Sequence, residues 1–294
     1  MQWAKITLVG VGLLGGSIGL AARRRGLAGR VVGYVRRPAS VAECERAGAV
    51  DAAGTDLCEA VEGADLVVLC TPIARMRELT EQMLPALRPG VLVTDVGSVK
   101  EPVVRELEPL VGRAGAHFIG SHPMAGAEKM GVQAARADLF ERAVCVLTPT
   151  DQSPADAVEK LTAFWAALGA LPLRLPADVH DELVSRSSHL PHVVAAVLVH
   201  CVLDPALPEA QARLCANGFR DTTRVASGSP EMWRDIALAN RDNLARVLDG
   251  FVGNLEAFRR LLENGQAAAL EEFFVQAKQR RDAWCAAGAS PSPE

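Results

Sequence analysis

The chain has 294 residues, of which 49% are hydrophobic and 22% charged, and its formal net charge at pH 7 is −4. That length suits two domains, and that composition is globular, which excludes wholesale disorder. The slight acidity, with eight Phe, four Trp and one Tyr, excludes a basic nucleic-acid surface and a base-stacking platform.

In chain order, strand-like runs of β-branched and apolar residues occur at 6–9, 31–34, 66–70, 91–95, 118–120 and 144–147. Most end in Gly, Pro, Asp or Ser. Helix-like stretches such as 17–25, 75–87 and 101–110 lie between them. The alternation predicts right-handed βαβ units and a parallel sheet covered on both faces. After Pro176 no strand pattern remains. Apolar residues recur there at helical spacing through 178–203, 209–226, 230–262 and 266–286. Ser229-Pro230 reads as a helix start and Gly265 as a break between the last two helices. The predicted division is an α/β half at 1–175, an all-helical half at 176–288 and a Gly/Ser/Pro-rich tail at 289–294.

The apolar stretch Ile6–Ala22 could pass for a signal peptide or a membrane span. Its five glycines weaken an isolated helix, its triple arginine lies at the wrong end, and it is shorter than the ~20 residues a span needs. Neither membrane nor nucleic acid is an expected partner. The seven cysteines are odd in number and none forms a CxxC pair, which argues against a disulfide framework or a zinc site and for a reducing, cytoplasmic setting.

The first strand runs into Gly10-Val11-Gly12-Leu13-Leu14-Gly15, and a helix follows. Gly10 allows the tight turn, Gly12 lets the backbone approach a pyrophosphate, and Gly15 lets the helix pack close to the strand. The helix N-terminus offers unpaired N–H groups to phosphate. In this context the fingerprint predicts a dinucleotide site. At the end of the second strand, where an acid would bind the ribose hydroxyls of NAD, stand Val35, Arg36 and Arg37. Two guanidiniums can bind a 2′-phosphate, so NADP is favoured, with NAD possible. Thr71-Pro72 and Gly97-Ser98 sit at further strand ends, where this architecture forms its ligand crevice.

His122, just after a strand in Ser121-His122-Pro123-Met124-Ala125-Gly126, is the catalytic candidate by position, with a structural loop histidine as the alternative. A histidine titrates near neutrality and can take a proton from an alcohol, as hydride abstraction from a carbinol carbon requires. His189 and His192 could share a helix face, but no third ligand stands at a metal-site spacing, so no metal is expected. Pro191 removes a backbone hydrogen bond, frees the Ser187 carbonyl and should bend its helix. The polar run Ser187-Ser188-His189 is then either a substrate patch or a hydrogen-bonded core patch. His117, His180 and His200 read as structural.

Taken together, Gly10–Ser17, DVGSVK at 95–100, SHPMAGAEKMG at 121–131, SSHLPH at 187–192 and GFRDTTRVASGSPEMWRD at 218–235 resemble the prephenate/arogenate dehydrogenase family. The resemblance implies a Rossmann-like dinucleotide-binding domain followed by an all-α dimerisation domain, and hence a homodimer. It implies hydride transfer to NAD(P) from the hydroxyl-bearing carbon of a cyclohexadiene, with loss of the ring carboxylate as carbon dioxide. It also implies roles. His122 accepts the hydroxyl proton, and Ser98 orients that histidine and contacts the nicotinamide. His192 and Ser121 line the substrate, Arg224 pairs with its carboxylate, Glu128 and Asp221 share an ionic network with Arg224, and Trp233 walls the pocket.

Two positions depart from the pattern: Val35 replaces an acid of NAD-using members, and Ala127 stands where many relatives have serine. Little sequence follows the last helix, so no regulatory or mutase domain is expected after it. Two alternatives stay open. One is a two-domain dehydrogenase for a β-hydroxyacid or imine, which would rely on a lysine such as Lys100 or Lys129. The other is a nicotinamide-nucleotide sensor without turnover, which would not need Ser98, His122, His192 and Arg224 together.

Overall fold

The computed structural model describes residues 3–127 and 129–287. Nine strands and thirteen α-helices are found among them. Six strands, β1 (Trp3–Val9), β2 (Ala28–Tyr34), β3 (Ala52–Gly54), β4 (Leu66–Leu69), β5 (Leu92–Asp95) and β6 (His117–Phe118), form one sheet in the order 3-2-1-4-5-6. All of its pairings are parallel. Helices α1 (Leu13–Arg24), α2 (Ala39–Arg46), α3 (Leu57–Val61), α4 (Ile73–Met83) and α5 (Glu101–Gly112) make the crossovers.

The sheet is buried on both faces, which explains the nearly unbroken apolar runs of its strands. Along β4, Leu66 and Val68 face a core with Ile18, Ala22, Phe164 and Trp165, whereas Val67 and Leu69 face a second core with Met76, Leu79, Met83 and Leu107. The strand order reverses between β1 and β4, and that is where such sheets open a crevice at their carboxyl ends.

A second sheet carries β7 (Gly120–Pro123), β8 (Val144–Thr148) and β9 (Leu171–Arg174), with β7 antiparallel and β9 parallel to β8. Helix α6 (Ala155–Ala167) connects β8 to β9. The sequence pattern does not reveal β3 or β9. β3 is an Ala-Ala-Gly segment without β-branched residues, and β9 is an exposed edge strand containing Pro172, a residue that argues against a central strand.

The helices α7 (Ala177–Val184), α8 (Leu190–Val202), α9 (Glu209–Arg213), α10 (Asn217–Thr223) and α11 (Pro230–Ala239) follow. They belong to the same compact unit as the sheets, which ends at Asn240. The second unit, from Arg241, contains α12 (Arg241–Glu263) and α13 (Ala267–Ala286). Phe258 packs there against Phe273 and Phe274, and Gly265 makes the break at φ +59°.

The spacing over 230–262 predicts one helix, but the structure has two, broken at Asn240. The buried Asn240 amide is used instead by tertiary partners, donating to the Asp181 carbonyl at 2.8 Å. Ser229 caps α11 through Met232 N, as its Ser-Pro start predicts. Among the described residues no helix is long and apolar enough to cross a membrane.

Candidate active site

The glycine turn sits at the carboxyl end of β1. Gly10 has φ +98°, and a Cβ there would meet the Cys70 carbonyl at 2.8 Å. A Cβ on Gly15 would sit 2.1 Å from the Gly10 carbonyl, so only glycine lets α1 pack this closely on the turn. A Cβ on Gly12 meets nothing within 4 Å and points into open space. No side chain caps α1 and no acid occupies its first turn, which leaves the helix N-terminus, with Leu13 and Leu14, available to an anion. Across the crevice, at the end of β4, the Thr71 hydroxyl is buried without a hydrogen-bond partner among the described residues, and Pro72 follows on the exposed side. An uncapped helix end, open space at Gly12 and an orphaned hydroxyl fit a dinucleotide. Val35 is buried in the core, whereas Arg36 and Arg37 are exposed, with no side-chain hydrogen bond or ion pair among the described residues.

Behind the crevice lies a buried polar network. Lys100 and Asp95 form an ion pair with both side chains at 0% exposure. Lys100 Nζ also donates to the Ser121 carbonyl at 2.9 Å, and Asp95 accepts from Gly97 N and Ser121 N. Burial of such a pair is tolerable because both carboxylate oxygens accept hydrogen bonds and the ammonium has two partners. Lys100 is thereby committed to the frame and is not a lysine free to act on substrate. Ser121, expected at the substrate, is fully buried and donates its hydroxyl to the Asp95 carbonyl, with Thr94 Oγ1 also at 2.9 Å. It therefore stands behind the site.

His122, on β7, is also buried. Its Nδ1 lies 2.8 Å from Nε2 of His180, and the two rings meet edge to face. His180 Nδ1 donates to Asp181 Oδ1 at 2.7 Å. Burial, then the neighbouring His180, Lys100 and His189, hold the pKa of His122 well below 6.5. The imidazole is thus uncharged at neutral pH and able to accept a proton. Ser98 is half-buried in the turn between β5 and α5, and its main chain faces His189. Since His180 occupies Nδ1, Nε2 is the nitrogen of His122 left for Ser98 or a substrate.

The release expected at Pro191 takes the form of a widened, π-helical turn over Ser185–His189, between α7 and α8. Such turns occur where a helix must re-aim side chains. His189 is buried beside Asn240, 3.2 Å from its amide, and burial pushes its pKa down to about 4. His192, one turn on, donates Nδ1–H to the Ser188 carbonyl at 2.9 Å and stacks on Trp233. Burial and the nearby Arg224 both lower its pKa. Arg224 opens the turn after α10 and is exposed, as is Asp221. Asp221 makes no ion pair among the described residues, and Glu128, the third member of the expected network, lies outside them.

The structure therefore brings His122, His189 and Ser98 together, and joins them to His192, Trp233 and Arg224 on the helical side, where the His189 and Trp233 rings meet edge to face. Sequence reasoning missed His180, Asp181 and Asn240. His180 lies 58 positions from His122, and no short motif signals that they meet.

Known proteins resemble this chain over both of its halves. Residues 18–172 match the family description "Prephenate dehydrogenase, nucleotide-binding domain", and residues 176–276 match "Prephenate dehydrogenase, dimerization domain". The chain is 35% identical to prephenate dehydrogenase of Bacillus subtilis over 283 residues, covering 94% of this chain and 75% of that protein. Its structure resembles prephenate dehydrogenase of Aquifex aeolicus, solved with hydroxyphenyl propionate and NAD+, at TM-score 0.90 and 32% identity, covering 95% of this chain and 98% of that one. It also resembles Synechocystis arogenate dehydrogenase at TM-score 0.81 and 32% identity, covering 95% and 99%. With its parallel nucleotide-binding sheet, its helical second half and its buried histidine site, the chain belongs to the prephenate dehydrogenase family of NAD(P)-dependent oxidoreductases.

Proposed function

We infer that the chain oxidatively decarboxylates prephenate, arogenate or both, with hydride passing to a nicotinamide. The observation that carries this reading is His122, a buried and uncharged imidazole whose Nδ1 is already occupied, which leaves Nε2 to take a proton. A bound nicotinamide would supply the hydride acceptor. The chain's own residues do the rest. The Gly10–Gly15 turn and the α1 N-terminus hold the pyrophosphate, with Thr71, Pro72 and Ser98 lining the nicotinamide side. His122 Nε2 takes the proton of the 4-hydroxyl as the carbon beneath it loses hydride, with Ser98 helping to orient it. Loss of the ring carboxylate then makes the ring aromatic. Arg224 pairs with a substrate carboxylate, and His192 and Trp233 hold the ring from the helical side. Asp221 and Glu128 balance the charge of Arg224.

NADP is the preferred cofactor in this reading. Val35 is buried and no carboxylate guards the ribose position, while Arg36 and Arg37 stand exposed beside it. The nucleotide half comprises residues 1–175 and the helical half 176–288. The helical half pairs two copies of the chain, in keeping with the dimerisation family that residues 176–276 match and with exposed apolar residues such as Val197, Leu255 and Phe274. The seven free cysteines suit a reducing, cytoplasmic setting.

The test is a grid of prephenate or arogenate with NAD or NADP, following reduced nicotinamide and carbon dioxide together. Equimolar release of both, faster with NADP, is expected. Reduced nicotinamide without carbon dioxide would refute the decarboxylation.

A further inference from the structure

We propose that His180 and Asp181 are positioning residues that fix the tautomer of His122, so that its Nε2 is bare toward the substrate. The inference rests on the reading of His122 as the proton acceptor, and it follows from a chain of three side chains. Asp181 accepts Lys100 N at 2.7 Å and His180 Nδ1 at 2.7 Å on one oxygen, and Glu101 N at 2.8 Å on the other. With two backbone N–H donors already converging on it, one on each oxygen, the carboxylate presents an acceptor rather than a proton to His180. A neutral His180 therefore carries its proton on Nδ1, and its Nε2 is a lone pair.

That lone pair lies 2.8 Å from His122 Nδ1, so His122 carries its own proton on Nδ1. Acceptor character is passed through two rings, and Nε2 of His122 can only accept. The other ionisable groups facing His122 leave this assignment unchanged. Lys100 Nζ is committed to Asp95 and Ser121, and His189 is held by Asn240. After His122 takes the hydroxyl proton on Nε2 it is protonated on both nitrogens and still donates Nδ1–H to His180.

All members are rigidly placed. His180 and Asp181 are 0% and 1% exposed. The same carboxylate closes the first turn of α5, and Asn240 holds the Asp181 carbonyl. A buried second partner that orients a metal-bound imidazole is worth about 10- to 100-fold, and the same scale is expected for this orienting contact.

The test has two arms. In protein labelled with 15N-histidine, long-range proton–nitrogen correlation reports which nitrogen of each ring is protonated, and His122→Asn identifies the His122 signals by their loss. The expected result is His122 and His180 both as Nδ1–H tautomers. His122 protonated on Nε2 would overturn the proposal, and the unchanged signals of the other histidines in His122→Asn show that the variant used for assignment is folded. In the second arm His180→Phe, which keeps an aromatic ring but no nitrogen, should lower kcat about 10- to 100-fold with KM little changed. His180→Gln, whose amide can both accept and donate, should recover part of that loss. A folded His180→Phe with wild-type kcat overturns the proposal while His122→Asn remains impaired. Wild-type turnover in His122→Asn as well would mean that the parent reading had failed.

Discussion

His192 lies flat on Trp233, with ring centroids 3.6 Å apart and planes inclined by 28°. The stack, together with the bond from Nδ1 to the Ser188 carbonyl, leaves Nε2 of His192 as a fixed acceptor. Trp233→Leu removes the stack and keeps an apolar side chain. The expected outcome is a KM for substrate raised about 2- to 10-fold, the range such an aromatic contact is worth, with kcat less affected. Steady-state kinetics at saturating cofactor measure it.

Gly12 and Gly15 fail in different ways. A side chain at Gly12 enters open space, so Gly12→Val should keep the wild-type unfolding temperature while NAD(P) affinity falls by more than about tenfold. A side chain at Gly15 runs into the Gly10 carbonyl, so Gly15→Val should lower the unfolding temperature itself. Thermal melts with and without cofactor separate the two.

The histidines set a pH dependence. Burial and its neighbours hold His122 well below 6.5, so the acid limb of kcat/KM should lie below pH 6.5. His189 is lowered from 6.5 to about 4 by burial. Between these values the unfolded chain binds a proton that the folded chain refuses, so stability rises with pH. This contribution is complete above pH 6.5 and is lost as pH falls toward 4. Urea unfolding across that range should show it, and His189→Gln should flatten the slope.

Arg224 lies close enough to His192 to lower its pKa, on the side assigned to the substrate carboxylate. Arg224→Ala should raise KM by about 10- to 100-fold, the loss of a hydrogen bond to a charged group, and change kcat less. An unchanged KM would remove Arg224 from the substrate.

Much of this was legible in the sequence. The parallel sheet follows from short apolar strands alternating with helices, and the dinucleotide turn from three glycines, two in close contact with the backbone and Gly12 open to space. The last helices were legible from their period and from Gly265. What stayed hidden depends on distant partners. Asn240 breaks what the apolar period presents as one helix because its amide serves Asp181 and His189. Ser121 neighbours His122 in sequence, yet it turns to Asp95 and Thr94, because adjacent residues on a strand point to opposite sides. His180 reads as a core histidine until the fold brings α7 against β7. Pro191 announces a disturbed helix, and only the structure gives its form as a widened turn.

The central claim is that His122 takes the substrate proton. The most direct measurement is kcat and KM of His122→Asn beside wild type, with cofactor binding confirmed by fluorescence. A fall in kcat of about 10²- to 10⁴-fold, with KM and cofactor affinity little changed, is the predicted result. A folded, cofactor-binding variant that turns over at the wild-type rate would contradict the account.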